Sequence, residues 1–509
     1  PYTEASDIFS YLDPTVPNPA AGGRLGALRF GGDAAPDAIS CNCDTPINTF
    51  YGALGPRVGF AYAFDDKTTF RGAYGIMYAR RGAVGGREGA RNGTGLVGIN
   101  ASAALNPLNG FDPVFYWQSG IPAYAKGPIY DETYQSGFAT GRGAGGAVTY
   151  GDPNSKPPQY QNWNLSVQRA LTPSMVLTAA YVGSKGSRLA GAPRGIWSNQ
   201  IDPKYLVLGN LLNATANAAN VAAAAAIVPG IALPYANFSG TIAQMLRPFP
   251  QYNSVADVYG NDGQSNYHAL QTSLQHRLWH GLTFNVNYTY SKALGTINGA
   301  RTAYRQERTL STTDQPHVFN AFYSYDLPFG KGRMLDSGNG VVNAIIGGWT
   351  LSGMTRFATG TPLSVTATCT LPFAVTTCYA RINPNFTGEV RINGDYGSGN
   401  VLGIAANQTK YIDPAAFLQP TAFTYGDAAP TAPYGLRNPP LINQDLSISR
   451  KFAITERWAI EAGVDGFNIF NAPRFGGINT NISNAATFGT VSSQANFPRV
   501  FQGKLRVIF

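Results

Sequence analysis

Few residues in this chain have the types and spacing that chemistry requires. Gly141-Arg142-Gly143-Ala144-Gly145-Gly146 fits GxGxxG by letter. Such a loop holds a pyrophosphate only when a strand precedes it and a helix follows, and neither pattern is present. A flexible loop is the better reading. His276 and His280 stand four apart, the spacing that puts two metal ligands on one helix face. They flank a hairpin turn with no Glu between them, so surface histidines are expected rather than a metal site. Glu461 and Asp465 share one side of a strand. At ~3.3 Å per residue they lie about 13 Å apart, beyond the ~5–9.5 Å that paired-carboxylate hydrolysis uses. His317 follows Asp314-Gln315-Pro316 without a serine nucleophile motif, and rim hydrogen bonding is its expected role. With four histidines and no activated nucleophile, the chain is expected not to be an enzyme and to take no cofactor.

Cys369 and Cys378 are spaced for a disulfide across a loop, which an oxidising compartment permits. Cys41 and Cys43 are expected not to bridge readily, being so close in sequence. Neither pair has the spacing of a structural zinc site. The stretch holding Tyr116, Trp117, Tyr124, Tyr130 and Tyr134, with Arg142 nearby, suits adaptable recognition of a ligand. Loop-on-loop packing or a membrane-interface belt is the competing account.

These candidates sit in loops or on strands, and the composition explains why. Of 509 residues 13% are charged, against about 25% in ordinary globular proteins. Tyr and Phe number 28 each and Gly 59. Few charges and many aromatics suit a large sheet with a lipid-facing side and long loops, rather than several water-exposed domains. No stretch is long and apolar enough for a helical membrane span; Val221 to Ala236 comes nearest and reads as an Ala-rich loop helix broken by Pro229, Gly230 and Pro234. The net charge of +9 comes from scattered residues, so no nucleic-acid partner is expected.

Period-two alternation is the dominant pattern. Leu282, Phe284, Val286, Tyr288 and Tyr290 form one face, and Thr283, Asn285, Asn287, Thr289 and Ser291 the other. A soluble sandwich would hydrate the second face with Lys and Glu, whereas a barrel around a wet lumen needs polarity without charge. Similar alternation runs through Val58 to Phe64, Phe70 to Tyr78, Trp163 to Gln168, Tyr267 to Leu278, Phe319 to Leu327, Trp349 to Thr359, Leu446 to Phe452 and Trp458 to Val464, and less clearly through Met175 to Val182. The chain ends on Phe501, Leu505, Val507 and Phe509 opposite Gln502, Lys504, Arg506 and Ile508. Five hairpins and this terminal strand predict an all-β, antiparallel transmembrane barrel wall of about eleven strands, each about ten residues long.

Short turns are expected near Asp66, Pro173, His280 and Thr455, with a medium one from Pro328 to Gly348 and long loops between the hairpins. Short turns on one rim and long loops on the other are the habit of outer-membrane barrels. Residues 1–55 read as an extracellular loop segment leading into the wall, and 56–509 as the C-terminal part of the barrel. Eleven is odd, whereas bacterial single-chain barrels have even counts, so the chain is expected to be part of something larger.

Several segments resemble one family. They are Phe50-Tyr51-Gly52-Ala53-Leu54-Gly55-Pro56-Arg57-Val58-Gly59-Phe60-Ala61-Tyr62, Arg71-Gly72-Ala73-Tyr74-Gly75-Ile76-Met77-Tyr78, Tyr181-Val182-Gly183-Ser184-Lys185-Gly186, Tyr288-Thr289-Tyr290-Ser291-Lys292, Leu327-Pro328-Phe329-Gly330-Lys331-Gly332, Gly347-Gly348-Trp349, Phe467-Asn468-Ile469-Phe470-Asn471 and the closing Gly503 to Phe509. Together they look like the barrel of Oar-like TonB-dependent outer-membrane receptors. The resemblance implies a 22-stranded barrel of which this is half. It also implies an N-terminal plug and a carboxypeptidase-regulatory-like domain, both expected to lie outside this chain, and contact with TonB through that missing part. Outer loops would capture an extracellular ligand for energised passage. The barrel assembly machinery would recognise Phe509, while Val507, Leu505 and Phe501 face outer-membrane lipid. The rival expectation is a structural or surface-interaction barrel without transport.

Overall fold

Eleven long strands form where the alternation places them. The computed structural model describes residues 10–30, 40–43, 48–79, 113–120, 147–150, 152–154, 156–189, 199–257, 262–296, 307–368, 370–372, 377–392, 410–455 and 457–509. The strands are β1 (Arg57–Asp65), β2 (Thr68–Tyr78), β3 (Gln159–Thr172) and β4 (Met175–Leu189). Next come β5 (Gly263–Trp279), β6 (Leu282–Thr296), β7 (His317–Asp326) and β8 (Trp349–Ala358). The last are β9 (Leu441–Ala453), β10 (Ala459–Phe467) and β11 (Val500–Ile508). Each pairs antiparallel with its neighbour in sequence, so the sheet is an up-and-down meander. A three-residue strand, Arg308–Leu310, joins it beside β6. The two edges are β1 and β11, which do not pair with each other among the described residues. The wall is open.

A meander places alternate connections on opposite rims. The turns at Asp66, Pro173, His280 and Thr455 therefore share one rim, as expected. His280 and Gly281 both have positive φ, +48° and +81°, between Trp279 and Leu282. This is the two-residue turn whose twist matches that of its strands. At the first turn Asp65 Oδ1 accepts from the Lys67 amide at 2.8 Å. The longer β7–β8 connection carries a helix, Gly340–Ile346, started by Asn339, whose Oδ1 accepts from the Val341 and Val342 amides. Such side-chain acceptors satisfy donors that a helix start leaves open.

β4, the least clear strand in the sequence, spans 15 residues, and β5 spans 17. Both exceed the expected ten.

The best-buried side chains lie in the loops, not in the sheet. Val365, Tyr379, Tyr411, Ile412, Phe417 and Phe488 pack in one core built from the last two long loops. Leu12, Leu28, Val148, Phe249, Tyr252 and Val255 form a second, around a hairpin of Ser10–Asn18 with Arg24–Phe30 and a parallel pair, Ala147–Tyr150 with Ser254–Asp257. Within the expected loop segment 1–55, residues 10–30 form a packed hairpin. A third core joins Leu208, Leu212, Phe238, Ile242 and Met245. Beside it runs the expected Ala-rich helix, Ala218–Ile227, capped by Asn217.

Candidate functional site

The functional surface of this chain is the wall itself, because the register sorts side chains into two faces. Following pairs across the sheet, Phe70 meets Val167, then Ala179, Thr272, Tyr288, Phe319, Phe357 and Ile442. The neighbouring row on the opposite face runs Thr69, Gln168, Thr178, Ser273, Asn287, Asn320, Arg356 and Asn443. Val58, Phe60 and Tyr62 belong to the first face at one edge, and Phe501, Leu505 and Val507 at the other. A shift of one residue at any pairing would have mixed the faces. Apolar residues also occur on the polar side, among them Val182, Val318, Phe322 and Met354, and Gln444 stands on the apolar one. The apolar face is open to its surroundings: Phe60 is 56% exposed, Leu165 54% and Leu505 74%. A soluble monomer does not carry an apolar surface of that extent.

Aromatic rings gather toward both rims of this face. On the short-turn side His276 stacks on Phe284 with centroids 5.1 Å apart, and Trp458 meets Phe509 at 5.5 Å. There the Arg450 guanidinium lies between the rings of Trp349 and Phe452, at 5.9 and 4.6 Å. It donates to the carbonyls of Ala344 and Ile345 at the end of the turn helix. On the long-loop side Tyr181 Oη and His268 Nδ1 are 2.7 Å apart, and Tyr288 Oη and His317 Nδ1 2.8 Å. An apolar band between two aromatic girdles is the layout of an outer-membrane barrel wall.

Around β10 the charges of the polar face lie beside opposite ones. Lys504 Nζ donates to Asp465 Oδ1 at 2.8 Å and to Ser447 Oγ at 2.9 Å. Glu461 pairs in register with Arg506 and Lys451. At the end of β10 the Phe467-to-Asn471 motif builds a turn. Asn468 and Asn471 both have positive φ, which Asn tolerates better than most residues. Asn468 ties the Ala472 amide and the carbonyls of Ala472 and Phe497 together.

A family model described as outer membrane beta barrel domain matches residues 1–502. The chain belongs to that family. This outer-membrane barrel domain is accordingly a protein of the bacterial outer membrane. Among solved structures the domain is similar to the ferripyoverdine receptor of the outer membrane of Pseudomonas aeruginosa bound to ferripyoverdine, at 11% identity and TM-score 0.34 over 89% of this chain and 32% of that one. It is similar to the ferric citrate transporter FecA in its unliganded form, at 10% identity and TM-score 0.35 over 96% and 40%. The ferric-catecholate import receptor Fiu from Escherichia coli K12 matches at 10% identity and TM-score 0.37 over 95% and 40%. The domain therefore spans 32–40% of the length of these three structures. No curated protein matches it.

The barrel domain places its sequence-derived candidates as follows. Phe501, Leu505 and Val507 lie on the apolar face and Phe509 at the short-turn rim, all exposed. Tyr116 and Trp117 are exposed in a short turn, whereas Tyr124, Tyr130, Tyr134, Arg142 and the Gly141–Gly146 stretch lie outside the described residues. Cys378 is disulfide-bonded; Cys369, its expected partner, lies outside the described residues. Two expectations are corrected. Cys41 and Cys43 do form a disulfide, with α-carbons 5.1 Å apart, because Asn42 between them adopts a left-handed φ of +47° that turns the two side chains together. His276 is not a surface residue but is buried on Phe284 near the turn. No cluster of three or more metal-ligating side chains occurs among the described residues.

Proposed function

We infer that the chain forms part of the wall of an outer-membrane receptor-transporter of the TonB-dependent, Oar-like kind. Its outer loops capture a ligand, and a plug elsewhere in the parent protein gates passage. The observation carrying this reading is the division of the wall into a mainly apolar, girdled face, read as turned toward lipid, and a mainly polar face, read as turned toward a lumen. Strand parity supports a larger barrel: β1 and β11 run in the same direction, so antiparallel closure needs an odd number of further strands between them. The family-like segments support the Oar-like assignment, contact with TonB through the parent, and recognition of Phe509 by the assembly machinery. The chain works by binding and passage rather than catalysis; Asp465 is engaged by Lys504, and Glu461 faces Arg506.

The packed loop cores favour a second reading, a rigid surface scaffold that binds partners without transport. One experiment separates them. Cells with and without the parent protein are compared for depletion of small molecules from their medium, with and without a protonophore. A solute whose depletion needs both the barrel and an energised inner membrane supports transport. Normal assembly with no such solute favours the scaffold.

A further inference from the structure

A cleft of about 940 Å³ opens where the apolar face meets the long loop between β8 and β9. Its volume is that of a small-molecule site. Phe319, Phe357 and Ile442 supply one wall, all from the apolar face at the long-loop ends of β7, β8 and β9. The rings of Phe319 and Phe357 stack with centroids 5.9 Å apart, making a flat strip. The opposite wall is the loop segment Gly388 to Arg391 with Tyr411 behind it. Arg391 is exposed and its guanidinium sits 6.0 Å over the Tyr411 ring, which holds the charge at the cleft. Glu389 is exposed on the same segment, so the site is not uniformly positive. Arg437, though it also lines the cleft, is committed to Asp314.

We propose that this cleft binds an acylated, phosphate-bearing lipid of the surrounding leaflet, with a chain along Phe319, Phe357 and Ile442 and the phosphate at Arg391. Continuity with the apolar band argues for a lipid over a soluble ligand: a chain entering the cleft need not leave the hydrocarbon. Arg391 offers five N–H donors in a fork suited to phosphate. It lies at the rim, where a headgroup would stand. A free anion would gain the charge but not the aromatic strip. The proposal rests on the apolar face meeting lipid.

The test uses the full chain in detergent with purified lipid A as probe, measured by native mass spectrometry beside dephosphorylated lipid A and inorganic phosphate. Arg391→Gln should weaken lipid A binding about tenfold and leave the dephosphorylated lipid unchanged, while Phe357→Ala should weaken both. Equal lipid A binding by Arg391→Gln and the wild type overturns the proposal, as does full competition by inorganic phosphate. The underlying reading has its own measurement, quenching of a Val286→Trp variant by brominated phospholipid. Quenching there without any effect of Arg391→Gln rejects the lipid site alone. No quenching rejects the facing of the wall.

Discussion

Arg437 Nη2 lies 2.7 Å from Asp314 Oδ2, joining the loop before β7 to the loop before β9. Asp314 is fully buried and also accepts the Ala293 amide at 2.7 Å. The same arginine donates to the carbonyls of Asp314 and Gly360. One guanidinium therefore locks two loops onto the end of β6. Arg437→Met leaves a buried carboxylate without its partner, a change that costs about 3–5 kcal/mol. Hydrogen exchange at Ala293 should accelerate accordingly, while amides at the Asp66 turn on the far rim stay unchanged. Equal protection at Ala293 would show that the pair holds nothing.

Facing is tested by adjacent residues on β6. Val286→Arg puts a charge on the apolar face and should destabilise the lipid-inserted protein by about 2–4 kcal/mol near mid-membrane. Asn287→Arg, one residue along on the polar face, should cost far less. Denaturant midpoints in lipid vesicles measure both, and the reverse order would mean that the faces are exchanged.

Glycines on the apolar face lie under rings from the adjacent strand. Phe60 covers Gly72 and Trp163 covers Gly183. A methyl group at Gly183 would overlap the Trp163 ring, so Gly183→Ala should cost about 1–3 kcal/mol. Tryptophan emission should report the displaced ring. Adding Trp163→Ala should recover part of the loss, and an additive double variant would refute the contact.

Asp336 makes the β7–β8 turn sensitive to acid. The Gly332 amide foremost, then the Gly338 amide and the Asn343 side chain, hold its carboxyl below the ordinary aspartate range. A depressed folded value means that the turn is fully supported above the unfolded value of about 3.9 and loses that support as pH falls through the lower folded value. Amide exchange at Gly332 and Gly338, corrected for intrinsic rates, should rise in that acid window. Asp336→Asn should remove the pH dependence; an unchanged profile would place the effect elsewhere.

Deleting Phe509 from the parent protein should lower the amount of assembled barrel more than the ligand affinity of molecules that do insert. Phe509 sits at the short-turn rim against Trp458, across the wall from the long loops. Heat-modifiable barrel in outer-membrane fractions measures the first quantity. Normal assembly with lost binding would reverse the orientation of the chain.

Strand number, order and the sorting of side chains into two faces were legible because period-two alternation is local, and the short turns lie within a few residues of the strands they join. Asn18 and Tyr252 could not be paired in advance: their hydrogen bond spans 234 positions, and nothing near either residue announces the other. The cleft was hidden for the same reason, since Arg391 and Phe357 come from a loop and a strand with no shared pattern. The Cys41–Cys43 bridge was misjudged because sequence distance says nothing of the left-handed turn at Asn42. Asn on its own is only a weak sign of that conformation.

The molecule keeps its water-excluding cores in the loops, while its sheet carries apolar side chains, such as Phe60, Leu165 and Leu505, that stay exposed among the described residues. Its two parts thus answer to different solvents. The loop cores gain their stability from water, as a soluble protein does, whereas the wall depends on the thickness and chain order of the bilayer. A change of lipid should therefore bear first on the wall, and reach the loop cores only through ties such as Arg437 to Asp314.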